Sequence, residues 1–393
     1  MLSKRIHGMD ALRAIAMLLG IVLHAAIPYR IFTNANWPSD PAFQTIGFDA
    51  LYIWIHSFRM QLFFLVAGFF ARLLYLKIGQ EKFIQHRLKR ILLPFVVSII
   101  VIIPLSLAPL LYYKFMFLQE LSAYEAVLQT FSAIKQWNGL VHLWFLYYLM
   151  MFYGCMLTLQ IVIPAELRSS ILSKLTVLAN LTNPLVFVGV AFFLYFILQI
   201  NNLILIEPHT GLRPAIGQFV YYGIFFLVGY LLHTKSQVIE QFKRYSVLFF
   251  LTGGILVIPF TYLYFIVSTT DASPQTYWVA RAIGVCQTLL LVGGSLGGFV
   301  RFFSSENKTI RYISDAAYWL YLAHFPIVTC MEVALLSSSV YGWLRFWVVL
   351  IITSIVTLLT YHYIVRYTII GTVLHGKRIR ENQEEILKAS TAN

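Results

Sequence analysis

Asp10, Arg13 and His24 stand near the start of the chain, beside and within an apolar stretch that runs from Ala14 to Tyr29. Histidine is the side chain that takes up a proton and returns it near neutral pH, which is what activation of a hydroxyl requires. Asp10 and Arg13 are three residues apart, so on a helix they share a face and can pair. His24 lies eleven residues beyond Arg13, which is three helical turns and about 16 Å of rise. Guanidinium and imidazole then stand on nearly one face, towards opposite ends of one helix. An ionisable residue inside a membrane span is costly and marks a functional site by default. An imidazole merely packed in the bundle and bonded to a carbonyl is the competing reading of His24.

Further polar residues interrupt later apolar runs. Arg59 falls about mid-membrane in Ile55-His56-Ser57-Phe58-Arg59. Unpaired, it would cost about 3 kcal/mol on insertion scales, so it must face the interior and meet either an anionic ligand or a structural partner such as Asp10. His56 reads as a structural or lining residue. Ala67-Gly68 allows a neighbouring helix to come close. His86-Arg87-Leu88-Lys89-Arg90 is either a charged anchor or a cradle for phosphates, which arginine binds bidentately. His142 and Trp144 open another run and can line a pocket, although a membrane-interface belt also explains the Trp. His324 lies near mid-bilayer with Pro326 two residues on, and Glu332 follows, placed to orient a histidine or bind a cation. Arg281 meets an anionic group or snorkels to the interface.

The elements that hold these residues are membrane helices. Of 393 residues, 59% are hydrophobic and 11% charged, and mean hydropathy is +0.76; soluble domains carry about a quarter charged residues. Runs of roughly 20 apolar residues cross a bilayer. Ten are found, near 10–30, 49–71, 91–112, 141–163, 185–206, 215–233, 246–267, 279–300, 314–335 and 346–365. The expected fold is all-α: one bundle of about ten transmembrane helices over 1–370, then a short charged tail over 371–393. Twenty-one of the 29 Lys and Arg residues fall on one alternating set of loops and ends and five on the other, with Arg13, Arg59 and Arg281 inside spans. The positive-inside rule then puts both termini in the cytoplasm. The net charge of +13 reflects this orientation and gives no reason to expect a nucleic-acid partner. Cys155, Cys286 and Cys330 lie in apolar runs without metal-ligand spacing, so neither a metal site nor a disulfide framework is expected. No A-x-A-like cleavage site follows the first run, which reads as a retained span. The loop 113–140 contains a stretch, Tyr124 to Phe131, that suits a short interfacial helix.

Taken in order, Arg13-x10-His24, Phe58 to Phe70, Arg87-x-x-Arg90-x-x-x-Pro94, His142-x-Trp144 and Tyr318 to Pro326 resemble the membrane acyltransferase-3 family, over about residues 7 to 368. Arg5-x-His7-Gly8-Met9-Asp10-Ala11-Leu12-Arg13 and Phe58-Arg59-Met60 resemble the branch that succinylates periplasmic glucans. The resemblance implies a ten-helix acyltransferase of the bacterial inner membrane. It implies a cytoplasmic acyl-CoA, here succinyl-CoA, as co-substrate, a carbohydrate acceptor outside, and no permanently bound cofactor. It implies His24 as the catalytic residue with Arg13 its essential partner, and Arg87 and Arg90 at the CoA phosphates. With only a short tail after the tenth span, the soluble esterase-like extension of some members is not expected here. An acyl-histidine relay competes with direct transfer.

Two other functions remain open on the sequence. One is acetylation of another surface polysaccharide. The other is a proton-coupled transporter or flippase, with Asp10, His24 and His324 as a relay. No internal repeat of the transporter type is visible.

Overall fold

The computed structural model describes residues 7–33, 37–336, 338, 340–376 and 378. Most of the charged tail expected over 371–393 lies outside the described residues, as do Lys4 and Arg5.

The described chain is helical, with two residues in an isolated bridge, Gly139 and Gly211. In chain order the helices are α1 (His7–Ala26), α2 (Ile46–Ile78), α3 (Gln80–Arg87), α4 (Leu93–Tyr113), α5 (Ala123–Gln136), α6 (Trp144–Val162), α7 (Ala165–Leu175) and α8 (Pro184–Ile200). Then follow α9 (Ile216–Leu232), α10 (Ser236–Ile255), α11 (Val257–Thr269), α12 (Pro274–Phe302), α13 (Lys308–Leu335), α14 (Gly342–Thr360) and α15 (Ile369–Leu374). Among the described residues eight helices, some formed by joined elements, are long and apolar enough to span a bilayer. The fifth and sixth expected spans are α8 and α9, each of 17 residues, at the lower end of what a span needs. α8 meets α7 across a break of 96°. The seventh expected span is divided at Leu256 into α10 and α11.

α1 is central. It packs against α2, α12, α13 and α14, and its buried residues include Ala11, Ala14, Ala16 and Gly20. Small residues are what membrane helices use to come close, because lipid gives no hydrophobic force to drive them together. α2 and α9 make the same use of glycine reciprocally. A Cβ at Gly68 would run into Phe226 O, and one at Gly229 into Leu65 O. Gly8, at the start of α1, touches the backbone of Phe299 and Val300 at the end of α12. Leu374 lines the same cavity as Arg13, so both described chain ends lie at one end of the bundle.

The loop 113–140 folds as α5, longer at both ends than the expected 124–131. Ser122 caps it: its Oγ accepts the Glu125 N–H at 3.3 Å while Glu125 Oε2 accepts the Ser122 N–H at 3.2 Å. Such a reciprocal cap satisfies two donors that a helix start leaves free.

Candidate active site

Arg13, Met17, Gly20 and His24 recur at helical spacing and form one stripe of α1. Two cavities meet along that stripe. The first, about 280 Å³, is lined by Arg13, His86, Arg87 and Arg90. The second, about 770 Å³, is lined by His24, His56, Arg59, His142, Trp144 and His324. Met17, Phe63, Phe145 and Tyr321 line both, so a wall one side chain thick divides a basic chamber from a histidine-rich one. A larger groove of about 940 Å³, between α4, α5 and α13, is almost wholly apolar and holds none of the candidate residues.

In the basic chamber Arg87 ends α3 and Arg90 sits in a widened π turn, Leu88–Leu92, that leads into α4. Such turns are common where a helix carries function. The Arg87 guanidinium lies over the rings of Phe83 and Tyr153, at 4.8 and 4.6 Å. Stacking of this kind orients a guanidinium while leaving its N–H edge free to bind. Just beyond the last span, His375 near Arg90 has its imidazole pushed below the ordinary range, chiefly by burial.

In the histidine chamber three imidazoles converge. The ring of His324 lies 5.4 Å from that of His24 and 5.7 Å from that of His142. His324 Nδ1 faces two carbonyls, Leu320 O at 2.8 Å and Tyr321 O at 2.9 Å. Carbonyls only accept, so Nδ1 carries the hydrogen and donates, which leaves the Nε2 of the neutral ring as an acceptor. Among the described residues Nε2 has no hydrogen-bond partner. Likewise, no hydrogen bond is found for Nδ1 of His24. His56 is committed elsewhere: its Nε2–H donates to Ile206 O at 2.7 Å. Among the described residues no group of His, Cys, Asp or Glu is arranged to hold a metal ion.

Arg59 reaches across from α2 and rests on α1. A Cβ at Gly20 would collide with Arg59 Nη1 and would stand 4.0 Å from His324 Nε2. Among the described residues no carboxylate lies within ion-pair distance of Arg59. Its positive charge is therefore presented to the chamber, one helical turn from His24.

The structure thus groups the candidate residues in three sets. Arg13, Arg87 and Arg90 share the basic chamber; His24, Arg59, His142, Trp144 and His324 share the other. Asp10, Arg281 and Glu332 line neither. Asp10 is in the first turn of α1. Arg281 is 2% exposed and binds the end of α8: Nε–H donates to Leu203 O at 2.8 Å, Nη1 to Gln199 Oε1 at 2.5 Å and Nη2 to Asn202 Oδ1 at 3.0 Å. Glu332 accepts the indole N–H of Trp37 at 3.1 Å.

Among the lining residues of the histidine chamber with no role assigned from sequence are Gly20, Trp37, Glu207 and Tyr321. Gly20 and Tyr321 are signalled, being four residues before His24 and three before His324, on their faces. Trp37, in the turn-rich stretch Trp37-Pro38-Ser39-Asp40-Pro41, has only the signature of an aromatic at the membrane interface. Nothing local marks Glu207, which reaches the chamber on the loop after α8.

A bundle of apolar helices around a buried chamber of imidazoles, with a guanidinium-lined chamber behind it, defines a multi-pass membrane protein. The match that covers most of the chain agrees: the family model for the acyltransferase domain called acyltransferase 3 spans residues 6–362, and the chain belongs to that family. It is a membrane acyltransferase. The chain is 23% identical, over 399 aligned residues, to the glucans biosynthesis protein C of Escherichia coli strain SMS-3-5 / SECEC. The same identity links it to that protein in strain K12 and in E. coli O81 strain ED1a, with 97% of this chain and 98% of each relative covered. No solved structure matches the chain.

Proposed function

We propose that the protein transfers an acyl group, succinyl, from cytoplasmic acyl-CoA to a hydroxyl of a glucan or similar carbohydrate on the far side of a bacterial inner membrane. The observation that carries this is the pair of chambers sharing Met17, Phe63, Phe145 and Tyr321. One chamber is cationic and suits the phosphates of a nucleotide thioester. The other is lined with imidazoles and aromatic rings and suits a sugar. The biased distribution of Lys and Arg supports a cytoplasmic basic chamber, and the names of the relatives support a glucan as acceptor.

In this reading Arg13, Arg87 and Arg90 hold the phosphates, and the narrow pantetheine arm passes the wall. The thioester carbonyl then lies beside His24. His24 takes the proton of the sugar hydroxyl as its oxygen attacks the carbonyl carbon. The tetrahedral intermediate collapses, the C–S bond breaks, and the thiolate leaves and takes the proton back from His24. Donors such as Arg59 or a histidine N–H stabilise the oxyanion; one such donor contributes on the order of 3–4 kcal/mol in known cases. Arg59, next to Gly20 and without an ion pair among the described residues, also suits the far carboxylate of a succinyl group.

The test is thiol release by purified protein offered succinyl-CoA, acetyl-CoA and a glucan, with the products weighed by mass spectrometry. Wild type is expected to release thiol and add succinyl, and His24→Ala to do neither while reaching the membrane in normal amount. Movement of substrate across the bilayer with no thiol released would sink the proposal, and acetyl addition would change its donor.

A further inference from the structure

Glu332 lies within the membrane-spanning length of α13, is 5% exposed, and has no part in the transfer steps above. Its Oε2 accepts the Trp37 indole N–H at 3.1 Å, across 295 residues of sequence. Among the described residues its Oε1 has no hydrogen-bond partner. Trp37 in turn stacks on His24, with ring centroids 6.1 Å apart and planes 21° from parallel. Phe325 closes the arrangement, edge-on to His24 at 4.9 Å and to Trp37 at 5.5 Å.

The loop that carries Trp37 is fastened elsewhere by its own ion pairs. Before it, Arg30 binds Asp49 at 3.1 Å, and Asp49 accepts the Ile31 N–H at 2.8 Å. After it, Asp40 binds Arg345 at 2.6 Å. Those bonds fix the backbone on either side. Among the described residues, the polar contact that fixes the indole itself is Glu332.

We propose that Glu332 is a positioning residue that acts on His24 through Trp37. Its carboxyl oxygen accepts the indole N–H and holds the indole in its stack beside the imidazole, and the indole fixes the ring plane that meets the acceptor hydroxyl. The inference rests on the reading of His24 as the proton acceptor in acyl transfer. An imidazole free to turn about its side-chain bonds loses attack geometry, and errors of about 1 Å cost on the order of 100-fold in rate. What the indole needs is an acceptor oxygen, which an amide supplies as well as a carboxylate.

Two readouts test this in membranes holding the full chain. The first is the rate at which diethyl pyrocarbonate modifies His24, followed by peptide mass; it requires no turnover. Glu332→Ala and Trp37→Phe are expected to speed labelling severalfold, and Glu332→Gln to match wild type. The second is thiol release from acyl-CoA. Glu332→Ala and Trp37→Phe are expected to lower kcat by about 10- to 100-fold with KM for acyl-CoA unchanged, and Glu332→Gln to keep near-normal kcat. Trp37→Phe keeps a ring and loses the N–H, so it serves if Glu332→Ala fails to accumulate. In the Trp37→Phe background, Glu332→Gln is expected to change nothing further. The proposal is overturned if His24 labelling ignores both substitutions, if Glu332→Gln is as slow as Glu332→Ala, or if Glu332→Gln slows the Trp37→Phe protein further. If wild type releases no thiol, the acyl-transfer reading fails, and labelling still decides whether Glu332 governs His24.

Discussion

Arg59 and Gly20 are in direct contact: the guanidinium from α2 occupies the space that a side chain on α1 would fill. This brings a positive charge to within one turn of His24, with no carboxylate at ion-pair distance among the described residues. Gly20→Ala is expected to push Arg59 off α1 and to lower acyl transfer at least tenfold, with little change in membrane yield. Thiol release per mole of folded protein measures it. A fully active Gly20→Ala protein would show that the position of Arg59 is unimportant.

Arg87 and Arg90 face one chamber from a single turn of chain. Removing either is expected to weaken acyl-CoA binding, since a hydrogen bond to a charged group contributes about 1.5–3 kcal/mol. KM for acyl-CoA should rise roughly 10- to 150-fold in Arg87→Ala or Arg90→Ala, with kcat less affected. Added salt should raise the wild-type KM in the same direction. An effect on kcat alone would place these residues at the chemistry and not at the phosphates.

His324 donates Nδ1–H to two backbone carbonyls. An asparagine amide presents its N–H₂ near that atom and nothing where Nε2 stood. His324→Asn is therefore expected to fold as wild type and lose most activity, whereas His324→Ala loses both activity and thermal stability. Detergent melting curves and thiol release separate the two. Activity retained in His324→Asn would assign His324 to structure alone.

Arg281 clasps Gln199, Asn202 and Leu203. Asn202 there has φ 50°, a left-handed conformation that asparagine tolerates better than most residues. Arg281→Ala strips partners from buried polar groups, at about 1–3 kcal/mol each. It should lower the melting temperature clearly while the folded fraction keeps near-normal kcat. Loss of kcat at normal stability would instead assign Arg281 to the substrate.

The spans were legible because hydrocarbon requires a long apolar run and tolerates few charges, and the residues that break that rule stand out. His24, Arg59 and His324 were found in this way, and they do line one chamber. Arg281 and Glu332 broke the rule equally, yet line neither chamber. Cost in lipid says that a polar residue needs a partner, not what the partner is. The bonds of Arg281 go to a helix end about 80 residues away in sequence, and that of Glu332 to a loop residue 295 away. Such pairings depend on how helices pack, which periodicity does not encode. The shortness of α8 was hidden for a related reason: the apolar residues Leu203 to Ile206 extend its hydropathy past Ile200, where the helix ends.

The thin wall of Met17, Phe63, Phe145 and Tyr321 has an electrical consequence. Chambers entered from opposite faces of a membrane form a pore if nothing seals them, and an energised membrane cannot tolerate open pores. On the proposed reading, in which the two chambers open to opposite faces, these three hydrophobic side chains and a phenol act as a dielectric plug that admits the slender pantetheine arm and excludes hydrated ions. Shrinking the plug, as in Met17→Ala with Phe63→Ala, should make vesicles that carry the protein leak protons. A voltage-sensitive dye would report the decay, and added acyl-CoA should slow it by corking the passage.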